Sequence, residues 1–303
     1  MKQQWKNALL GMLALVLPAG FALGAGPVVD QAWLKANSCN KGVVVVDLRD
    51  PESYAAGHIP CAVNATYGKV GWRAKVNGIP GVLPPVDKLT KLIGSLGIDN
   101  STHVVAVPFG DKAADLGAAT RVFWTFTVLG HDNVSVANGG HAAYAKVKGN
   151  PLEKKNRTPS ATTFNANVRK ALLIGKADVA AALKSGTPTV DNRPTPQHLG
   201  IHKSGAVARF GTLPEAVSFP GEWMTDNGKG SFLPKKQIEN LFAYTGAPTS
   251  GKNITFCNTG HWASLGWFVS YAIMGNKDTL MYDASMAEYG GDNSLPMVRK
   301  VNL

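Results

Sequence analysis

The sequence predicts an α/β protein made of two tandem units, each a mostly parallel sheet flanked by helices. Three observations carry this. Continuous β-branched runs, such as residues 42–47, alternate with helical stretches, as expected for strands buried on both faces. The same ordered set of segments recurs in the second half of the chain. Between the copies, residues 151–167 are rich in Lys, Thr, Asn and Ser with little periodicity, the composition of a linker. We therefore place one domain at 25–150, a linker at 151–167 and a second domain at 168–303.

Taken in order, residues 28–36 read as a short helix with Asp30 near its start. The strand 43–46 ends in Asp47-Leu48-Arg49-Asp50-Pro51-Glu52, a loop entering a short helix. Gly57-His58-Ile59-Pro60 leads to a short strand at 61–64, and a Gly/Pro-rich stretch runs on to Pro85. A helix over 86–96, a strand over 103–107, a helix over 118–129 and a strand over 133–136 complete the first copy. In the second, Thr189-Val190-Asp191-Asn192-Arg193-Pro194 answers the Asp47–Arg49 turn, and Gly211-Thr212-Leu213-Pro214 answers Gly57-His58-Ile59-Pro60. Residues 253–257 align with 103–107, and 280–289 with 134–144. Two copies at such long spacing mean a duplicated domain and not a solenoid.

The chain has 303 residues, 45% of them hydrophobic, and a net charge of +11. Its Lys and Arg are scattered and no nucleic-acid motif accompanies them, so nucleic acid is not an expected partner. Residues 1–7 are short and basic, 8–23 are apolar but broken by Pro18 and Gly20, and Ala22-Leu23-Gly24 has the small-residue spacing of a cleavage site. This is the pattern of a cleavable signal peptide over 1–24. It predicts a periplasmic protein with no membrane attachment once the signal is removed.

The segment richest in chemistry is Asn253-Ile254-Thr255-Phe256-Cys257-Asn258-Thr259-Gly260-His261-Trp262, followed by small and apolar residues to Met274. It reads as strand, tight loop, helix. That geometry holds the Cys257 sulfur over backbone N–H groups at the positive end of a helix, a place that stabilises a thiolate and binds an anion. Asn258, Thr259 and Gly260 supply the loop, and His261 is a candidate contact for an anionic ligand. Trp262 is a candidate pocket wall. Two ligand types, Cys257 and His261, without companions do not make a metal site. In an oxidising compartment the other two cysteines raise a pairing question. Cys39 lies just before one strand and Cys61 starts the next; as parallel neighbours these strands bring both to one end of a sheet, so a Cys39–Cys61 disulfide is expected and Cys257 remains free.

The Asp-x-Arg turn, Gly-His-Ile-Pro, a strand ending in Cys-x-x-Gly and the closing Tyr282-Asp283-Ala284-Ser285-Met286-Ala287-Glu288-Tyr289 together resemble the tandem-domain rhodaneses, over essentially the whole chain after residue 24. The resemblance implies a sulfurtransferase without a cofactor. Cys257 would take a sulfane sulfur from a small anionic donor, thiosulfate-like or mercaptopyruvate-like, as a persulfide, and pass it to a thiol, cyanide or a sulfur-accepting protein. A non-enzymatic persulfide carrier in periplasmic sulfur metabolism is the alternative. The first half, with Val107-Pro108-Phe109-Gly110 at the matching strand end, is expected to be inactive and to supply one wall of the cleft. Asp47–Arg49 and Asp191–Arg193 are expected to tie loops to their sheets, with Arg193 and Gln197 also candidate cleft residues. Asp283, Ser285 and Glu288 are expected to brace the active loop, and Trp223 to reach the domain interface. Two basic residues of the thiosulfate-using members fall here on Thr259 and Gln197. This leaves His261, Lys203 and Arg209 as candidate replacements. A cysteine phosphatase is disfavoured, since the sixth residue after Cys257 is Ala263 and not arginine.

Overall fold

The computed structural model describes residues 25–301, so the predicted signal segment lies outside the described residues. The first half runs β1 (Val28–Val29), α1 (Gln31–Asn37), β2 (Val43–Asp47), α2 (Pro51–Ala56), β3 (Val63–Asn64), the hairpin β4 (Ala74–Val76) and β5 (Ile79–Val82), α3 (Val86–Ser95), β6 (His103–Val107), α4 (Ala113–Val128), β7 (Val134–Ala137) and α5 (Gly140–Lys146). The second runs α6 (Lys176–Lys184), β8 (Thr189–Asp191), α7 (Thr195–Leu199), β9 (Val217–Ser218), α8 (Lys235–Thr245), β10 (Asn253–Phe256), α9 (His261–Phe268), β11 (Thr279–Met281) and α10 (Ser285–Tyr289). Two parallel sheets result, in the orders β1-β7-β6-β2-β3 and β11-β10-β8-β9, and the β4–β5 hairpin belongs to neither.

Local chemistry explains the departures from expectation. Residues 28–36 do not form one helix. Val28 and Val29 pair with β7, and Asp30 caps α1 by accepting the Trp33 N–H. The strand expected at 61–64 covers Val63 and Asn64 alone, because Cys61 adopts a left-handed conformation with φ +63°. The helix expected from 118 starts at Ala113. The run after Cys257 forms α9 and then a π-helical turn, Val269–Ile273.

The register corrects one alignment. Asp47 pairs with Val107 and Asp191 with Phe256, so Phe256 answers Val107 and Cys257 answers Pro108. The flanking bonds agree: Met286 donates its N–H to the Cys257 carbonyl at 3.0 Å as His141 does to that of Pro108 at 2.9 Å.

The halves are welded by α4 against α9. Fourteen of the 16 residues of α4 are buried, so this helix is a core element covered on every side. Phe123 meets Phe268 edge-on at 4.8 Å, and Thr120 Oγ1 lies 3.0 Å from Ser264 Oγ. One apolar cluster runs from Val46 and Val104 of the first half to Leu265 and Trp267 of the second.

Cys39 and Cys61 form a disulfide and Cys257 is free. The bridge closes a loop of 22 residues, a constraint worth on the order of 3 kcal/mol. A C39A/C61A variant is expected to lose about that much in urea unfolding. Alkylation of unfolded, unreduced protein should label the Cys257 peptide alone, and label on three cysteines contradicts the pairing.

Candidate active site

β10 delivers Cys257 to the carboxyl end of the second sheet, and α9 begins four residues later. The loop between is built by Gly260, which caps α9 in a left-handed conformation with φ +76°. A Cβ there would also run into Asp283 and Arg121, so this position needs glycine for space as well as for torsion. Among the described residues, none of the N–H groups from Asn258 to Ala263 donates to a backbone or side-chain acceptor. They are the unspent donors of a helix start and its preceding turn, gathered just past the sulfur. Cys257 itself is 1% exposed.

Three groups fix the loop. Ser285 accepts the Cys257 N–H at 3.0 Å and stands 4.0 Å from its sulfur, while its hydroxyl donates to the Tyr282 carbonyl at 2.7 Å. It does so from a left-handed conformation, φ +51°, that a serine occupies only under constraint. Gly140 sits at the matching place in the first half with φ +57°. Arg121 in α4 is fully buried; it donates to the Gly260 carbonyl at 3.3 Å and pairs with Asp283 at 2.5 Å. Its guanidinium also lies over the Trp124 ring, 4.7 Å from the centroid. Arg73, at the root of the β4–β5 hairpin, donates to the Thr259 carbonyl and, at 2.9 Å, to that of Gly81. The other Asp283 oxygen accepts the Leu83 N–H at 2.7 Å. The first half mirrors this: Asn138 accepts the Phe232 N–H of the second half at 2.9 Å.

His261 is not a cationic contact. Its Nε2 donates to the Ala114 carbonyl at 2.9 Å, which leaves Nδ1 to accept from the Tyr67 hydroxyl at 3.1 Å. Burial, reinforced by Arg73 and Arg121, pushes its pKa down to about 4. The ring is neutral and wedged against α4, where an added Cβ on Gly117 would stand 2.6 Å from Nε2. Trp262 packs over Gly221 and the core. Asn258 Oδ1 and Gln197 Oε1 are buried with no hydrogen-bond partner among the described residues.

Arg193 is spent on the fold and is unavailable to a cleft. It is 1% exposed, doubly bonded to Asp191 and bonded to the Gly211 carbonyl at 2.9 Å, as Arg49 is to Asp47 and Gly57. Burial alone would raise the Asp191 pKa, but Arg193, His198 and Thr212 hold it at about 2. Arg209 is committed to four carbonyls of the C-terminal segment, those of Gly290, Leu295, Tyr289 and Asp292. Lys203 donates to the Val207 carbonyl. Trp223 is exposed and leans on Tyr244 instead of the interface. The cations at the loop, Arg73 and Arg121, come from the first half and were not singled out in the sequence. Arg121 carried a signal: a lone cation inside a mostly apolar helix needs a buried partner.

The profile of the rhodanese-like domain family matches residues 30–146. The chain is 31% identical over 222 residues to an assigned 3-mercaptopyruvate sulfurtransferase of Schizosaccharomyces pombe, covering 71% of this chain and 72% of that one. To SseA of Mycobacterium leprae, an assigned thiosulfate sulfurtransferase, it is 29% identical over 281 residues, covering 89% and 90%. In fold it superposes on SseA from Escherichia coli with a TM-score of 0.74 and 20% identity, over 86% of this chain and 99% of that one. It also superposes on the anaerobic ergothioneine biosynthesis enzyme from Chlorobium limicola with a TM-score of 0.76 and 20% identity, over 91% and 71%. The chain belongs to the rhodanese family and is a rhodanese-like sulfurtransferase.

Two outcomes test this site. Arg121→Ala strands Asp283 at the interface and is expected to cost about 3 kcal/mol in urea unfolding, part of which Asp283→Asn in the same chain restores. The second concerns His261. Its folded pKa lies below the ordinary value, so the unfolded chain takes up the proton first as pH falls from about 6.5 towards 4. Stability from this residue is therefore complete above that window and lost within it. Wild type should lose about 2 kcal/mol more than His261→Gln between pH 7 and 5, and equal losses contradict the assignment.

Proposed function

We propose that the protein is an exported sulfurtransferase that carries sulfane sulfur on Cys257. The observation that carries the reading is the one free cysteine among the described residues, standing at a strand end before six unspent N–H groups. The Cys257 thiolate attacks the outer sulfur of the donor. The new S–S bond forms as the donor's bond to that sulfur breaks, and the donor remnant leaves with the bonding pair, as sulfite from thiosulfate or as pyruvate, after protonation, from mercaptopyruvate. The persulfide is itself anionic, so the same N–H groups serve both resting and loaded states. A thiol or cyanide then attacks the outer sulfur and releases the Cys257 thiolate. The mercaptopyruvate remnant takes its proton from solvent, and the balance requires no metal or cofactor.

Export to the periplasm is supported by the signal-like pattern of residues 1–24 and by the Cys39–Cys61 disulfide, which suits an oxidising compartment. A small donor suits the depth of Cys257 better than direct transfer between proteins.

Incubation with thiosulfate or 3-mercaptopyruvate is expected to add the mass of one sulfur to the peptide containing Cys257, and Cys257→Ser should abolish both this gain and thiocyanate formation from cyanide. Turnover retained by Cys257→Ser contradicts the proposal. Loading without discharge to any small acceptor favours the carrier instead.

A further inference from the structure

We propose that Arg73 takes the anionic end of the sulfur donor and that the β4–β5 hairpin behind it is the gate through which the donor reaches Cys257. This deepens the sulfurtransferase reading above and rests on it.

The first observation is charge. Among the described residues, two guanidinium groups touch the carbonyls of the Cys257 loop. Arg121 is fully buried and neutralised by Asp283. Arg73 is half-buried and pairs with no carboxylate among the described residues; its partners are the carbonyls of Thr259 and Gly81. An arginine held by neutral dipoles keeps its charge available. A carboxylate or sulfonate oxygen also binds guanidinium more strongly than a peptide carbonyl does, so a donor can displace the Gly81 carbonyl of the hairpin while the Thr259 bond stays. Arg73 lies near the Tyr67 ring, 5.9 Å from its centroid, and the Tyr67 hydroxyl is bonded to His261 of the active loop.

The second observation is access. Cys257 is buried, so some covering element must move for a donor to arrive. The α4–α9 contact is continuous with the core and is a poor candidate. The hairpin is different. It joins neither sheet, its residues are half-buried or exposed, and it meets the site through Arg73 on Thr259 and Leu83 on Asp283. A two-stranded hairpin is marginal by itself, and moving covers are drawn from such weakly held parts. Its root is fixed: Trp72 is fully buried and its Nε1 donates to the Ala65 carbonyl at 3.1 Å. Arg73 is the first residue past that anchor, so the guanidinium stays beside the loop while the strands beyond it lift.

The test compares Arg73→Gln and Arg73→Lys in the full mature protein with two kinds of readout. Cys257 is alkylated with iodoacetate and with iodoacetamide, near-isosteric reagents that differ in charge, and KM and kcat are measured with thiosulfate and 3-mercaptopyruvate. Arg73→Gln is expected to lower the iodoacetate-to-iodoacetamide rate ratio about tenfold and to raise KM for both donors about tenfold, the size of one charged hydrogen bond. The rate with neutral iodoacetamide should rise as the bond that ties the hairpin to Arg73 through the Gly81 carbonyl is lost, and Arg73→Lys should keep most of the ratio. An unchanged ratio and KM, or equal slowing with both reagents, overturns the assignment. A ratio that still depends on Arg73 in a wild-type protein that gains no sulfur from either donor overturns the sulfur-donor role, and with it the sulfurtransferase reading, while the anion contact stands.

Discussion

Two arginines of one domain hold two carbonyls of the other, and the active loop takes its shape from that grip. In a trans peptide the carbonyl of one residue and the N–H of the next point in opposite directions. Arg73 draws the Thr259 carbonyl to itself, which turns the Gly260 N–H the other way; Arg121 does the same to the Gly260 carbonyl and the His261 N–H. The donors the chemistry needs are thus aimed from outside their own domain. The buried Arg121–Asp283 pair anchors the arrangement, and Asp283 in turn receives the Leu83 N–H, so hairpin, helix α4 and closing motif meet at one carboxylate. An ion pair so placed is weak evidence for stability but strong evidence for a fixed geometry, because neither partner tolerates loss of the other in a dry interface.

The duplication shows how the two halves differ at the matching strand end. Cys257 and Ser285 of the second half occupy the positions of Pro108 and Gly140 in the first. The two changes act on one hydrogen bond. Proline has no N–H to give and glycine has no hydroxyl to receive it, so the first half lacks the bond that seats the cysteine as well as the sulfur. What the first half keeps is the outer shell, Asp47–Arg49–Gly57 matching Asp191–Arg193–Gly211, which holds the turn to the sheet in both copies. The first half also supplies Arg73 and Arg121, so the cysteine comes from one half and the cations at its loop from the other.

The fold was legible in the sequence because its signals are local: β-branched runs, the Asp-x-Arg turn and a repeated order of segments. The cysteine was legible because its strand and small-residue loop are contiguous. The one-residue slip between 253–257 and 103–107 arose because both strands are buried throughout, and a strand buried on both faces carries no alternation to fix its register. The site's cations were missed for a different reason. Arg73 lies in a Gly/Pro-rich stretch without periodicity, 184 positions before Cys257 in the chain, and only the docking of the halves brings it to the loop. His261, judged by adjacency to Cys257, proved to be a neutral interface residue because α4 packs directly onto its ring.

The most direct measurement is a crystal structure of the protein loaded with sulfur from its donor. The account predicts an outer sulfur on Cys257 ringed by the N–H groups that follow it, with the Gly260 carbonyl still held by Arg121. A sulfur lodged instead against the hydrocarbon of α9, with those N–H groups turned away, contradicts it.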